Sequence, residues 1–434
     1  MNKHSMNNCV SDLLTFLDSS PVNFWAVETV RQRLEAAGFT RLDMRDEWAL
    51  RPGDRRYVTK NDSAIFAFIV GEGAASDGFH LIAAHSDSPG FRIKPSCEIA
   101  CEGDTVKLNT EVYGGPILYT WFDRPLAAAG RVMLRSGDPI NPMTRLIRFE
   151  DPIMVIPHLA IHFNRAVNEG NKLSKQKDML PVISISEPNA KGLIRRLVAE
   201  KLGVDEDSII DYDLSLYSCQ KAALVGINKD MVCSGRIDDL SMVHAGMTAL
   251  INEADKSSKN TRVLAIFDNE ETGSGTKQGA ASPILEHILR RIVFSREGTE
   301  SDYMRAVADS FMISADNAHG LHPNYVEKYD PTNHPTLGNG PCIKVNANCK
   351  YMTDADTASV FAEICRAAGV PFQYFVNHSD VAGGSTLGNI LTSKIPLRGV
   401  DMGAPVWAMH SCCETASAAD HEYTVAAFSK FFEL

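Results

Sequence analysis

Four stretches of this chain run from apolar residues into acids or histidines, and a fifth carries a pair of acids ahead of an apolar run. Val263-Leu264-Ala265-Ile266-Phe267 is continuous and β-branched, which predicts a buried strand, and Gly273 and Gly275 mark a loop beyond it. Leu81-Ile82-Ala83-Ala84 leads in the same way into His85-Ser86-Asp87-Ser88-Pro89-Gly90. Phe311-Met312-Ile313-Ser314-Ala315 ends in Asp316, with His319 three residues later. Val406-Trp407-Ala408-Met409 ends in His410. In the fifth, Ser234-Gly235-Arg236-Ile237-Asp238-Asp239 precedes a small-residue run to Leu250 that predicts a helix. Helices are also expected over residues 8–38, one of them from Asn23 to Ala37 with Gly38 as its stop.

The pattern changes between about Pro95 and Lys229. Val106 to Tyr113 alternates apolar and polar residues and ends at Gly114-Gly115, which predicts a strand. Shorter strands are expected at Arg131–Leu134 and Arg145–Phe149, and Lys191–Leu202 reads as a helix. The chain is thus expected to be an α/β protein, residues 1–94 and 230–434, interrupted by a β-rich insertion, residues 95–229.

The chemistry gathers where the apolar runs end. Glu270 and Glu271 are adjacent acids leaving a strand; they repel and point in different directions, which serves stability poorly. It suits a division of labour in which one carboxylate binds a metal and the other handles a proton. His85 and Asp87, two apart on a strand, share a face, and a carboxylate on one ring nitrogen fixes an imidazole's tautomer for metal binding. Singly, each feature has an ordinary reading: a solvated acidic loop, a surface histidine, or a helix N-cap for Asp239. Several strand ends carrying His, Asp or Glu in one α/β chain point instead to a shared site, because ligands gather at the carboxyl ends of such strands.

Composition narrows the class. The 434 residues suggest two or more domains, and 44% hydrophobic residues suffice for ordinary cores. A net charge of −11 without any basic run argues against nucleic acid and anionic membranes. No apolar stretch is long enough to span a bilayer, and Met1 to Pro21 has no secretory apolar region, so a cytoplasmic location is expected. The 10 cysteines form no Cys-x-x-Cys pattern and read as reduced thiols, the adjacent Cys412 and Cys413 included. Cys233 is near Asp238, but the oxygen-rich set around it favours harder ions than a thiolate would select.

These segments resemble the M18 metallopeptidases, the aspartyl aminopeptidases. The matching blocks are His85-Ser-Asp87-Ser-Pro, Ser234-Gly-Arg-Ile-Asp238-Asp, Asp268-Asn-Glu270-Glu271-Thr-Gly-Ser, Ser314-Ala-Asp316 with His319, and Ala408-Met-His410-Ser. Tyr113-Gly-Gly with Thr120-Trp-Phe-Asp-Arg124, Ile156-Pro-His-Leu-Ala-Ile-His162, and Gly340-Pro-Cys-Ile-Lys344-Val-Asn extend the match over nearly the whole chain. The chain departs at Gly235, where the family often has Pro, at Asp239, where it often has Asn, and after His410, where Ser-Cys-Cys-Glu replaces the usual Ser-Ile-Arg-Glu.

The resemblance implies a zinc-peptidase-like α/β/α catalytic domain split by a smaller dimerisation domain, assembling into a homododecamer built from dimers. It implies two divalent ions per subunit, zinc first, with Mn²⁺ or Co²⁺ also acceptable to a carboxylate-rich site. Asp238 would bridge them, His85 and Asp316 completing one site, Glu271 and His410 the other. Glu270 would be the general base and Asp87 would orient His85. His319, Lys344 and Tyr351 would reach the substrate, and His162 would enter from a neighbouring subunit. Substrates would be short peptides with a free N-terminal Asp or Glu, Lys344 supplying a cation for the acidic side chain. For Lys344 the residues alone leave a solvated strand-edge lysine equally open. A broad-specificity aminopeptidase, a two-metal deacylase of a small amide, and a non-catalytic metal-binding shell are the rival readings; the spare acid Glu270 argues against the last.

Overall fold

The computed structural model describes residues 3–434, with side chains from residue 8, so Met1 and Asn2 of the N-terminal segment lie outside the described residues. By their internal contacts the described residues form two units: those up to 87, 222–409 and 414–434, and an inserted unit of residues 88–221 with 410–413. The breaks fall earlier than 95 and 229. Gly90–Ala100 is a single strand of the inserted sheet, and Ala223–Val225 already pairs with Met231–Ser234 in the larger unit.

The larger unit is built on a nine-stranded sheet. Its strands run, in spatial order, Thr40–Arg41, Arg55–Lys60, Ala64–Ile69, Thr261–Phe267, Phe79–His85, Phe311–Ala315, Arg398–Gly403, Cys342–Val345 and Gln373–Val376. The four strands Thr261–Phe267, Phe79–His85, Phe311–Ala315 and Arg398–Gly403 are mutually parallel. Their carboxyl ends therefore lie on one edge. The register places Phe267 opposite His85 and Ser314 opposite Ala83, so Asp268–Glu271, Ser86–Asp87 and Asp316 all leave the sheet together.

Alternation divides the core. Ile82, Ala84, Leu264 and Ile266 join one cluster, with the helices Asn23–Ala36, Ile237–Asn252 and Ala418–Glu433. Leu81, Ala83, Val263, Ala265 and Phe267 join another, with the helix Ile284–Phe294. Successive side chains of a strand point to opposite faces, so a strand buried on both sides reads as an unbroken apolar run. That is the pattern the sequence carries at Val263–Phe267.

A five-stranded sheet, Ala223–Val225, Met231–Ser234, Glu414–Ser417, Pro405–Trp407 and Ala318–His319, belongs to the same unit. It delivers Ser234 to the turn before the helix Ile237–Asn252. The strand expected through Met409 stops at Trp407, because Ala408 and His410 take left-handed backbone, φ 53° and 69°. All ten cysteines are free thiols, and no helix among the described residues is long and apolar enough to cross a membrane.

The inserted unit is a six-stranded antiparallel sheet in the order Met143–Arg148, Leu126–Leu134, Ile209–Ser218, Gly90–Ala100, Val106–Tyr113, Val182–Ser184. Phe91, Leu108, Leu126, Val132 and Leu216 share a core with Ile194 and Val198 of the helix Leu193–Leu202. The strand at Val106–Tyr113 has the bounds its alternation predicts. Leu126–Leu134 begins five residues earlier than expected; its Leu-Ala-Ala-Ala-Gly start is poor strand sequence, and pairing with Ile209–Ser218 makes it one.

Candidate metal centre

His85 ends its strand fully buried. Its Nδ1 lies 3.0 Å from the main-chain carbonyl oxygen of Asp87 and 3.4 Å from that residue's Oδ1. A carbonyl only accepts, so Nδ1 carries a proton and Nε2 is the nitrogen left for a cation in place of a second proton. Nε2 lies 3.7 Å from Asp238 Oδ1 and 4.0 Å from Asp316 Oδ1. These separations are too long for hydrogen bonds. They are the separations of ligands sharing one cation at about 2 Å each.

Asp238 is brought there by the five-stranded sheet and the turn after it. Arg236 is left-handed, φ 63°, and neither acid has helical backbone, Asp238 at ψ 111° and Asp239 at φ −115°. The amide of Asp238 donates to Glu414 Oε2 at 3.0 Å, a buried acid the sequence reading assigned no role. The ordinary reading of Asp239 is a helix N-cap. Instead its Oδ2 accepts the main-chain N–H of His85 at 3.0 Å. Asp316 is pinned through its backbone: its N–H donates to Met402 at 2.9 Å, and a Cβ at Gly403 would stand 1.8 Å from the Asp316 carbonyl oxygen. Only glycine permits that approach.

Glu270 and Glu271 open a short 3₁₀ turn directly after the Thr261–Phe267 strand. Their amides donate to the two carboxylate oxygens of Asp87, at 3.1 and 3.2 Å. Asp87 thus orients His85 mainly by its carbonyl and uses its carboxylate to shape the Glu-Glu turn. Two sets of donor atoms, each within 4.8 Å of one another, overlap at His85: His85, Asp238, Asp239 and Asp316; and His85, Glu270 and Glu271.

The electrostatics fit a cation. Burial raises Glu270 to about 8, and the Asp316, Asp87 and Asp238 carboxylates add to it against the opposing pull of His85. Burial first, then neighbouring carboxylates, hold Glu271 and Asp239 well above the usual range. Burial opposes charge on His85, yet the acids around it outweigh that and raise its pKa well above 6.5. Imidazole and carboxylate donors without sulfur suit Zn²⁺, Mn²⁺ or Co²⁺.

Lys344 is not a solvated edge lysine. It is 3% exposed, its Nζ lies 3.3 Å from Asp316 Oδ2, and it stands 5.7 Å from the Tyr351 ring centre. Burial opposes its charge, but Asp316 more than restores it, raising the pKa. Tyr351 is buried, and Met352 beside it donates its N–H to Asp401 Oδ2 at 2.6 Å. Asp401 Oδ1 also accepts the Thr386 hydroxyl at 2.6 Å, tying the residue before the helix Leu387–Thr392 to the strand Arg398–Gly403. His319 is exposed, its ring 6.0 Å from that of Phe375.

Two of the expected site residues belong to the inserted unit. His410 has its Nδ1 3.1 Å from the Gly115 carbonyl oxygen, and its own carbonyl accepts the Ile117 N–H at 3.0 Å. His162 lies in an exposed 3₁₀ turn, Ile161–Phe163. The other expected residues, His85, Asp87, Asp238, Glu270, Glu271, Asp316, His319, Lys344 and Tyr351, lie in the larger unit.

Known proteins share this architecture. A "Probable M18 family aminopeptidase 2" of Clostridium novyi (strain NT) is 47% identical over 427 residues, 98% of each chain. The fold matches a chain of the cryo-EM structure of the Ape4 and Nbr1 complex with TM-score 0.95 at 34% identity, covering 99% of this chain and 86% of that one. It matches the mApe1 dodecamer of S. cerevisiae with TM-score 0.86 at 25% identity, covering 98% and 96%. The profile of the Aminopeptidase I zinc metalloproteases spans residues 16–432, and with it this chain belongs to the M18 family of metalloaminopeptidases.

Proposed function

We propose that this M18 aminopeptidase uses two divalent ions to remove N-terminal Asp or Glu from short unblocked peptides. The observation that carries the reading is the convergence of His85 Nε2 on the Asp238 and Asp316 carboxylates at 3.7 and 4.0 Å, with Glu270 and Glu271 beside them. His85 and Asp316 would hold one ion, Glu271 and His410 the other, and Asp238 would be shared. Such a pair polarises a scissile carbonyl and makes a nearby water acidic enough to attack.

The chain's own residues do the rest. Asp87 keeps His85 in the tautomer that presents Nε2 and fixes where the two glutamates turn. Glu270, set among the ligand carboxylates without being needed as a ligand itself, would take a proton from the attacking water and return it to the leaving amine. Lys344 balances the charge of Asp316. An acidic substrate side chain would share that cation, with Tyr351 and His319 around it. His162, delivered from a neighbouring subunit of a homododecamer built from dimers, would donate to the developing oxyanion. Exposed Leu159, Ile161 and Phe163 beside it support burial against a second copy.

One observation favours a second reading. Lys344 is already paired with Asp316, so it is less available to select acids, and a broad-specificity aminopeptidase follows if that pair persists. Hydrolysis of a panel of aminoacyl reporters with Zn²⁺, Mn²⁺ and Co²⁺ separates them. Asp and Glu reporters should win, and N-terminally blocked peptides should be refused. Clear preference for Leu or Met leaves the broad-specificity enzyme, and cleavage of blocked substrates leaves a deacylase.

A further inference from the structure

Asp239 has a place in this centre that an N-cap or a neutral residue does not need. Its side chain is fully buried. Oδ2 holds the His85 amide, and Oδ1 has no hydrogen-bond partner among the described residues. A donor oxygen of Asp239 lies within 4.8 Å of ligand atoms of His85, Asp238 and Asp316 together. Lys344, the buried cation next to this set, pairs with Asp316. A buried carboxylate oxygen without a donor is costly, and the structure offers it no proton donor where a hydrogen bond is usually found. What its surroundings do offer is a gathering of cation ligands.

We propose that Asp239 Oδ1 is a ligand of the ion held by His85, Asp238 and Asp316. The inference rests on the two-metal reading above. It gives this ion one imidazole and three carboxylates, a harder and more anionic set than one imidazole and two carboxylates. Added carboxylate donors favour oxygen-seeking ions of higher coordination number. The advantage of Zn²⁺ over Mn²⁺ at this site is therefore smaller than it would be with an amide at the same position.

Asp239→Asn tests this, because it preserves shape and can still accept the His85 N–H through its amide oxygen while losing the anionic donor. Calorimetric titration of Mn²⁺ and Zn²⁺ into metal-stripped protein reads each site directly. The wild type should take two ions. In Asp239→Asn one site should weaken by at least about tenfold for Mn²⁺, and by less for Zn²⁺. Equal affinities in the two proteins overturn the proposal and leave Asp239 as a holder of His85 alone. A wild type that takes fewer than two ions overturns the two-metal reading itself. The unmodified protein gives a second reading that does not depend on the variant folding. The Co²⁺ in this site should show the weak visible absorption of a five- or six-coordinate ion, since four protein donors and a water make at least five. Intense tetrahedral bands from both ions of the fully loaded protein overturn the proposal, because the second site, with three protein donors, accounts for such bands from one ion only.

Discussion

The two units spend their folding free energy in opposite ways. The larger unit hides charge: His85, Asp87, Asp238, Asp239, Lys344 and Glu414 are all buried within it. The inserted unit leaves apolar surface open: Phe163 is 79% exposed, and Leu159, Ile161, Ile140 and Ile185 are exposed with it. Burying unbalanced acids is costly unless something positive neutralises them. Leaving a large apolar side chain in water forgoes about 1.5–3 kcal/mol of burial. Each unit therefore carries an unfinished interaction, but of different kinds. Ions would complete the one, and protein surface the other.

The comparison is broken most sharply at the acids. Glu270→Gln should lower kcat by at least about a hundredfold, about 2.7 kcal/mol of barrier, with metal content unchanged. Glu271→Gln should instead lose or weaken one ion, read by elemental analysis. Near wild-type turnover in Glu270→Gln would show that the two roles are wrongly divided.

Next comes the contribution expected from the inserted unit. His162→Ala should lower kcat much more than it raises KM and leave the ions in place. Mixed oligomers of His162→Ala and Glu270→Gln subunits should regain activity, since some sites then combine an intact Glu270 with a neighbour's intact His162. Residual parental activity alone, in mixtures whose subunits demonstrably exchange, removes the in-trans role.

Lys344→Met should give a smaller effect, a weaker preference for Asp and Glu reporters. An intact preference would assign Lys344 to Asp316 alone.

The smallest effect concerns stability. His244 Nε2 lies 2.8 Å from Asp12 Oδ2, and its Nδ1 lies 2.9 Å from His421 Nε2. A carboxylate accepts, so His244 donates to Asp12 and accepts from His421, leaving His421 Nδ1 buried without a partner among the described residues. Burial lowers the pKa of His244 despite Asp12, and burial together with His244 lowers that of His421 well below 6.5. Both are neutral in the folded chain where the unfolded chain begins to bind protons. Their linked stability is complete above about pH 6.5 and is lost as pH falls from there towards the folded values. The denaturation midpoint should drop between pH 7 and 5, and His421→Gln should flatten that slope. An unchanged slope would mean other groups set it.

Much of this was legible in the chain. Apolar runs ending in His85, Glu270 and Asp316 fall on parallel strands with adjacent carboxyl ends, because a strand buried on both faces must be apolar until it leaves the sheet. The alternation of Val106–Tyr113 marked a sheet with unlike faces. Local pattern could not reveal partners distant in sequence. That the Asp239 carboxylate meets the amide of His85, that Glu414 holds Asp238, and that Lys344 is spent on Asp316 are products of chain crossings. The Ala-rich start of Leu126–Leu134 is a strand only because Ile209–Ser218 lies beside it. Sequence determined which residues could do the chemistry and where strands must end, since hydrophobic burial and period two are local properties. Tertiary structure decided which buried acid faces which base, because hydrogen-bond and ion-pair geometry is set only when distant segments pack.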